Sequence, residues 1–267
     1  MNVTLVRNLF LGVVCFGVLA PQAVATPAID GAILNLRVFN DDPGSTLGTI
    51  NNYPAMVEIS DTPTGTPGFA NLHNFHLASG GSEAVFMNGD SFQFSTDLTI
   101  SGAGGGEAGL QIAPWWSQDV DGRFNFRTTD GEIAVFGGRL PFYSFTSSHG
   151  LTYTKGDTVR VGVAYRANSL TMADPATIEY MLTLGGMGYT SGPLAFDQGN
   201  PAEDPPHGLW GMLNDSRVGG YLQIFTNGSD DNVTATWENI RFVPEPSSCA
   251  LLLGCSALLL TAYRRHP

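Results

Sequence analysis

Cysteine is missing from the body of this chain. Cys15, Cys249 and Cys255 all lie in its two hydrophobic ends, so residues 26–243 hold neither a disulfide nor a thiolate. A domain of that kind is held by its core alone. Lysine is nearly missing as well, Lys155 being the one example. Arg7, Arg264 and Arg265 belong to the ends, which leaves nine basic residues between Thr26 and Glu245 against 24 acidic ones, a net charge of about −15. Such a surface repels nucleic acid and anionic headgroups. It suits neutral polysaccharide, an acidic polymer bridged by cations, or plain solubility outside the cell. Helical periodicity, internal repeats and heptads are also lacking, and with them the coiled-coil and solenoid classes. No Gly-x-Ser-x-Gly elbow or Glu-x-x-His pair occurs, and Gly102–Gly106 is not followed by the Lys-Ser/Thr of a phosphate loop.

What is present is a run of short strands between glycine-rich turns. Ile33–Phe39, Met56–Ile59, Phe92–Ile100, Gly109–Trp115, Arg123–Thr128 and Glu132–Phe136 read as strands. So do Val159–Tyr165, Ile178–Leu184, Tyr221–Phe225 and Val233–Phe242. Phe92, Phe94, Leu98 and Ile100 alternate with Gln93, Ser95, Asp97 and Thr99, the period of a half-buried antiparallel strand. Asp121-Gly122 and Asp130-Gly131 are hairpin dipeptides. About ten to twelve strands predict an all-β, antiparallel two-sheet sandwich as one domain over residues 26–243. The layout, with its last strand Val233–Phe242, resembles the concanavalin A-like lectin/glucanase jelly rolls. The resemblance implies one sheet whose face or rim loops hold sugar. The Glu-x-Asp-x-x-Glu strand of the glucanases is absent, and Asp130-Gly131-Glu132 reads as a turn, so no catalytic residue is assigned.

Candidate ligand-binding residues are aromatic and acidic. Trp115 and Trp116 precede the Ser117–Gly122 turn, and Trp210 sits in a glycine-flanked loop. Their rings offer flat apolar faces to sugar C–H groups, while Asp119, Asp121 and Asn214 take hydroxyls. An adjacent pair on a strand turns one ring inward and one outward. Asp119-Val120-Asp121-Gly122 matches a fragment of a calcium loop, but the third acid and the distal Glu are missing, so it reads foremost as a solvated turn. His73 and His76 are spaced for a helix that their segment, a loop or strand start, does not suggest. With no partner ligands nearby in sequence, they mark no metal site and no metal is assigned.

The ends are addresses. Residues 1–25 form a secretory signal helix, with Arg7, the apolar run Leu9–Ala20 and a cleavage site at Ala23-Val24-Ala25. At the other end stand Pro244-Glu245-Pro246, the apolar run Cys249–Ala262 and the membrane-stopping pair Arg264 and Arg265. Residues 244–267 resemble the PEP-CTERM sorting signal of Gram-negative bacteria, although His266 and Pro267 follow its basic pair. That resemblance implies recognition by an exosortase and a C-terminal transmembrane helix that is kept or removed. The chain is accordingly expected in the cell envelope or extracellular matrix, in a non-catalytic structural or carbohydrate-binding role with exopolysaccharide as partner. The alternatives are an enzyme acting on polysaccharide through an unrecognised site and an adhesive surface protein without a specific ligand.

Overall fold

The computed structural model describes residues 26–65, 67–117, 119–199, 209–212, 214–227 and 230–245. In chain order the strands are β1 (Gly31–Asn40), β2 (Thr46–Asn52), β3 (Met56–Thr62), β4 (Pro67–Ser79) and β5 (Ser82–Glu83). There follow β6 (Phe92–Ser101), β7 (Gly106–Ala113), β8 (Arg123–Arg127), β9 (Ile133–Phe136) and β10 (Tyr143–Ser144). After the one-turn helix α1 (Phe145–His149) come β11 (Thr158–Arg166), β12 (Thr177–Leu184), β13 (Met187–Ala195), β14 (Arg217–Asn227) and β15 (Val233–Pro244).

These strands form the antiparallel two-sheet sandwich that the alternation predicts. Sheet I runs β1-β4-β14-β7-β8-β9-β10, with β5 on β4; sheet II runs β13-β12-β11-β6-β15-β3-β2. One hairpin shows how glycine sets a turn. Gly185 and Gly186, both at positive φ, join β12 to β13 so that Leu184 faces Met187.

The core lies between the sheets. Phe75, Leu110, Phe124, Val135 and Leu222 of sheet I meet Phe94, Leu98, Val161, Tyr180 and Trp237 of sheet II. Trp237 is fully buried, edge-on to Phe75 at 5.1 Å, and its indole N–H donates across the sandwich to the Gly109 carbonyl at 3.1 Å. One polar knot interrupts this layer. The His73 ring accepts the Arg37 N–H at Nδ1, so its Nε2–H donates to Asp61, which also accepts from Asn71. Burial pushes the Asp61 carboxyl up, but the hydrogen bonds from His73, Asn71 and Ser45 outweigh it and hold it below its ordinary value.

Several elements differ from the sequence reading. β7 ends at Ala113, before the tryptophans, and β2, β4 and β13 are strands that the pattern did not reveal. The expected signal helix and transmembrane helix lie outside the described residues, as do Ala23, Ala25, Pro246, Arg264 and Arg265. Among the described residues no helix is long and apolar enough to cross a membrane. Pro244 pairs with Phe92 as the last residue of β15, and the Glu245 N–H continues the ladder to the Ser91 carbonyl. The Glu245 carboxylate accepts from Gln93 at 2.9 Å and faces Arg166 at 3.5 Å.

Candidate functional site

In sheet I the residues between the core positions point outward. Successive side chains of a strand alternate faces. With Phe75, Leu110, Phe124 and Leu222 directed inward, Asn74, His76, Gln111, Asn125 and Tyr221 turn to the outer side. The strand register sets them in transverse rows. One row reads Asn35, Asn74, Tyr221, Gly109 and Asn125; the next reads His76, Gly219, Gln111 and Arg123. A third carries Gln223, Glu107 and Arg127. Gly109 and Gly219 leave a floor without side chains in the middle, and a Cβ on either would run into the backbone of the neighbouring strand.

An outward polar face normally meets water. This one does not: Asn74, Gln111, Asn125 and Tyr221 are 0% exposed and His76 is 1% exposed. The Arg123 guanidinium lies over the Tyr221 ring at 4.8 Å, and the cover over Asn74 and Gln111 is the connection between β7 and β8, described at residues 114–117 and 119–122. Its first part is a single 3-10 turn, Trp115–Ser117, and its last residue, Gly122, sits at a positive φ where a Cβ would strike the Ile112 carbonyl. Three side chains of the face hold it down by its backbone. Asn74 donates to the Asp119 carbonyl at 3.0 Å, Arg123 Nε to that of Val120 at 2.7 Å, and Gln111 to that of Asp121 at 3.3 Å.

Below the cover, polar atoms are left over. Asn74 Oδ1, His76 Nε2, Gln111 Oε1 and Asn125 Nδ2 are buried without a hydrogen-bond partner. A buried polar atom of that kind costs about 1–3 kcal/mol, so four on one face call for a reason. The contrast with His73 is direct, since both of its ring nitrogens are engaged. The His76 ring meets the Glu83 carboxylate at 3.0 Å through Nδ1, and Asn35 and Arg217 also bond that carboxylate. The hydrogen bond from His76 does most to bring Glu83 down to about 2; burial opposes it, and Asn35 and Arg217 add to it. In the neutral ring Nδ1 therefore carries the proton, and Nε2 presents a bare lone pair. Tyr221, fully buried with its hydroxyl 3.2 Å from Asn125 Oδ1, has its pKa pushed well above the usual phenol value, by burial first and by Glu107 next.

The sequence-derived candidates are thus partly united. Trp115 and Trp116 ride on the cover with rings 5.9 Å apart, edge to face. Both are exposed, by 39% and 44%, against the one-in, one-out arrangement expected of a strand; the chain has left β7 by then and alternation no longer applies. Asp119 and Asp121 join the site by their carbonyls, and the Asp121 carboxylate accepts the Gly122 N–H. Trp210 is tied by its backbone to Asp197 and Ala176, at the margin of sheet II. Asn214 accepts the Asn88 N–H. Among the described residues no group of three or more His, Cys, Asp or Glu is placed to hold a metal ion. The sequence reading weighs His76 only as a metal ligand and sets it aside, and it does not single out Asn74, Gln111, Asn125 or Tyr221. A usable signal was there: polar residues two apart in Asn74-Phe75-His76 and Gln111, set inside apolar strands.

No protein-family model matches the chain, and no curated protein matches it in sequence. Solved structures do resemble it. The PL7 alginate lyase AlyA1 from Zobellia galactanivorans is 10% identical with a TM-score of 0.37, over 77% of this chain and 82% of its own. Arcelin-5, a lectin-like defense protein from Phaseolus vulgaris, is 11% identical with a TM-score of 0.39, over 84% and 96%. Lectin UEA-II, complexed with galactose, is 11% identical with a TM-score of 0.41, over 82% and 100%. Residue roles do not transfer at this distance, and the site has to be argued from its own side chains.

Proposed function

We propose that this chain is an exported carbohydrate-binding protein, and that the outward face of sheet I takes a short stretch of polysaccharide beneath the Trp115–Trp116 connection. One observation carries the reading: four buried polar atoms without partners belong to the outward face of sheet I, and the connection bonded to two of their residues, Asn74 and Gln111, bears two exposed indoles. Amides, an imidazole and a phenol offer the directional bonds that fix sugar hydroxyls, while the indoles supply apolar faces for sugar C–H groups. A glycan array tests it. The intact chain should bind at least one polysaccharide class, and Trp116→Ala should weaken that binding about tenfold. Absence of binding across the array would end the proposal.

The address belongs to the same proposal. The N-terminal signal directs export, and Pro244-Glu245-Pro246 with Arg264 and Arg265 marks the chain for an exosortase. It would then work in the envelope or exopolysaccharide matrix, anchored by the C-terminal helix before processing. Mass spectrometry of the protein in its producing cell should find a C-terminus near Pro244–Ser247, and an intact Arg265 would refute sorting cleavage.

A second reading, an enzyme acting on polysaccharide, draws on His76. A ring oriented by Glu83, with Nε2 bare, is built as a proton acceptor. Release of new chain ends from a bound polysaccharide, lost in His76→Gln, would favour it over binding alone.

A further inference from the structure

We infer that the ligand of this face is a neutral glycan with adjacent hydroxyl pairs, and not a uronate or sulfated one. The inference rests on the carbohydrate-binding reading above and names the class of ligand for that same face.

The first ground is the inventory of positive charge. Three arginines belong to the face, and each is already committed to a carboxylate. Arg123 meets Glu107 at 2.7 Å, and Arg217 meets Glu83 at 3.1 Å. Arg127 meets Asp130 and Glu132, each at 2.9 Å, and Glu107 at 3.6 Å. An incoming carboxylate or sulfate would find no uncommitted guanidinium here. It would have to displace Glu83 from Arg217, or take Arg123 from Glu107, an acid only 6% exposed, which is a costly exchange.

The second ground is the kind of polar atom left over. Asn74, Gln111 and Asn125 each have one amide atom bonded within the protein and the other free. Of the four free atoms, Asn74 Oδ1, Gln111 Oε1 and, in the neutral ring, His76 Nε2 are acceptors, and Asn125 Nδ2 is the donor. Acceptors seek O–H groups, which a sugar hydroxyl supplies and a carboxylate or sulfate lacks. Once the cover lifts, each amide shows a donor beside an acceptor, the complement of two adjacent hydroxyls.

The third ground is what already occupies the face. The connection brings two aspartates to it, yet Asn74 and Gln111 bind the Asp119 and Asp121 backbone carbonyls. Arg123 Nε likewise takes the Val120 carbonyl. Three neutral oxygens in succession stand where hydroxyl oxygens of a glycan would lie. The cover is thus an internal stand-in for the ligand, and binding exchanges one set of neutral acceptors for another. Gly109 and Gly219 give a sugar ring a flat floor.

The test is calorimetric titration of the full, detergent-solubilised chain with hexamers of a neutral β-glucan, a neutral galactan and a polyuronate. At least one neutral hexamer should bind about tenfold or more tighter than the polyuronate. Its Kd should stay within about twofold when the salt is raised from roughly 0.05 to 0.5 M, because ion pairing with the ligand would be screened over that range. Tighter binding of the polyuronate, or a neutral-glycan affinity that collapses with salt, overturns the inference and leaves the binding face standing. Failure of every hexamer to bind overturns both.

Discussion

The two outward faces of the sandwich are built on opposite terms. On sheet II the outward residues meet water. β6 alternates fully buried positions with Gln93, Ser95, Asp97 and Thr99, all exposed or half-buried, and Arg160 reaches Asp97 and Ser95 across an open surface. On sheet I the outward residues of the middle strands, Asn74, Gln111, Asn125 and Tyr221, are as buried as the core. Every residue of β7 is buried, and so is each one from Asn71 to Ala78 in β4. Solvent explains the first face, since a polar side chain in water needs no protein partner. The second has exchanged water for amides, ion pairs and a covering segment, and it retains polar groups that the exchange does not satisfy. A fold gains no stability by leaving donors and acceptors stranded, so the face is better understood as shaped for something outside the chain.

The comparison can be broken most sharply at its ion pairs. Glu107→Ala strands Arg123 in a layer where both partners are at most 10% exposed, and should cost about 3–5 kcal/mol in urea denaturation. Asp97→Ala removes the exposed pair with Arg160 on sheet II and should cost under about 1 kcal/mol. Equal losses would mean that the two faces are not different in kind. The glycines give the next largest contrast. A Cβ at Gly219 meets the Phe75 carbonyl oxygen of the adjacent strand, so Gly219→Ala should cost about 3 kcal/mol. At Gly162 on sheet II the nearest atoms are the Ser95 Cβ at 3.1 Å and the Phe94 carbonyl oxygen at 3.2 Å, so a backbone shift of roughly a few tenths of an ångström suffices and Gly162→Ala should cost about 1 kcal/mol.

Acid offers a gentler probe. Glu83 is lowered to about 2 in the folded chain, so its contribution is complete above its ordinary value of 4.5 and disappears as pH falls from there to about 2. Its side chain is 27% exposed, and solvent screening reduces the effect to on the order of 1–2 kcal/mol. Glu83→Gln should flatten that part of the stability–pH curve, and an unchanged curve would remove Glu83 from the account. The smallest effect is expected at the cover. Trp116→Ala should alter stability by less than about 0.5 kcal/mol, because the ring is 44% exposed. A large thermal shift in that variant would make the indole a structural plug.

The same division explains what the sequence could reveal. Phe92–Ile100, Val159–Tyr165, Ile178–Leu184 and Val233–Phe242 were legible as strands because sheet II wets one face and buries the other, which prints a period of two. β4 was not legible. Asn71 and His73 point into the sandwich while Asn74 and His76 point out, so polar residues fall on both faces and the alternation disappears. The site was obscured for the same reason: its residues are spread over β4, β7, β8 and β14, and only the cross-strand register aligns them. Trp115 and Trp116 were visible by type, yet their role as riders on a cover depends on three side-chain bonds to backbone carbonyls, which no spacing encodes.

The C-terminal ladder has a mechanical meaning. β15 lies inside sheet II, between β6 and β3, and leads straight into Glu245. Hydrogen bonds in an antiparallel sheet run across the strands, so tension applied at that end acts along β15 and loads its rungs in shear. β6 pairs it as far as Pro244 and β3 as far as Glu238, so the rungs share the load along the strand and do not open one at a time. A chain tugged by its tail would thus be gripped at one of its most firmly held strands, far better suited to bearing load than to unravelling.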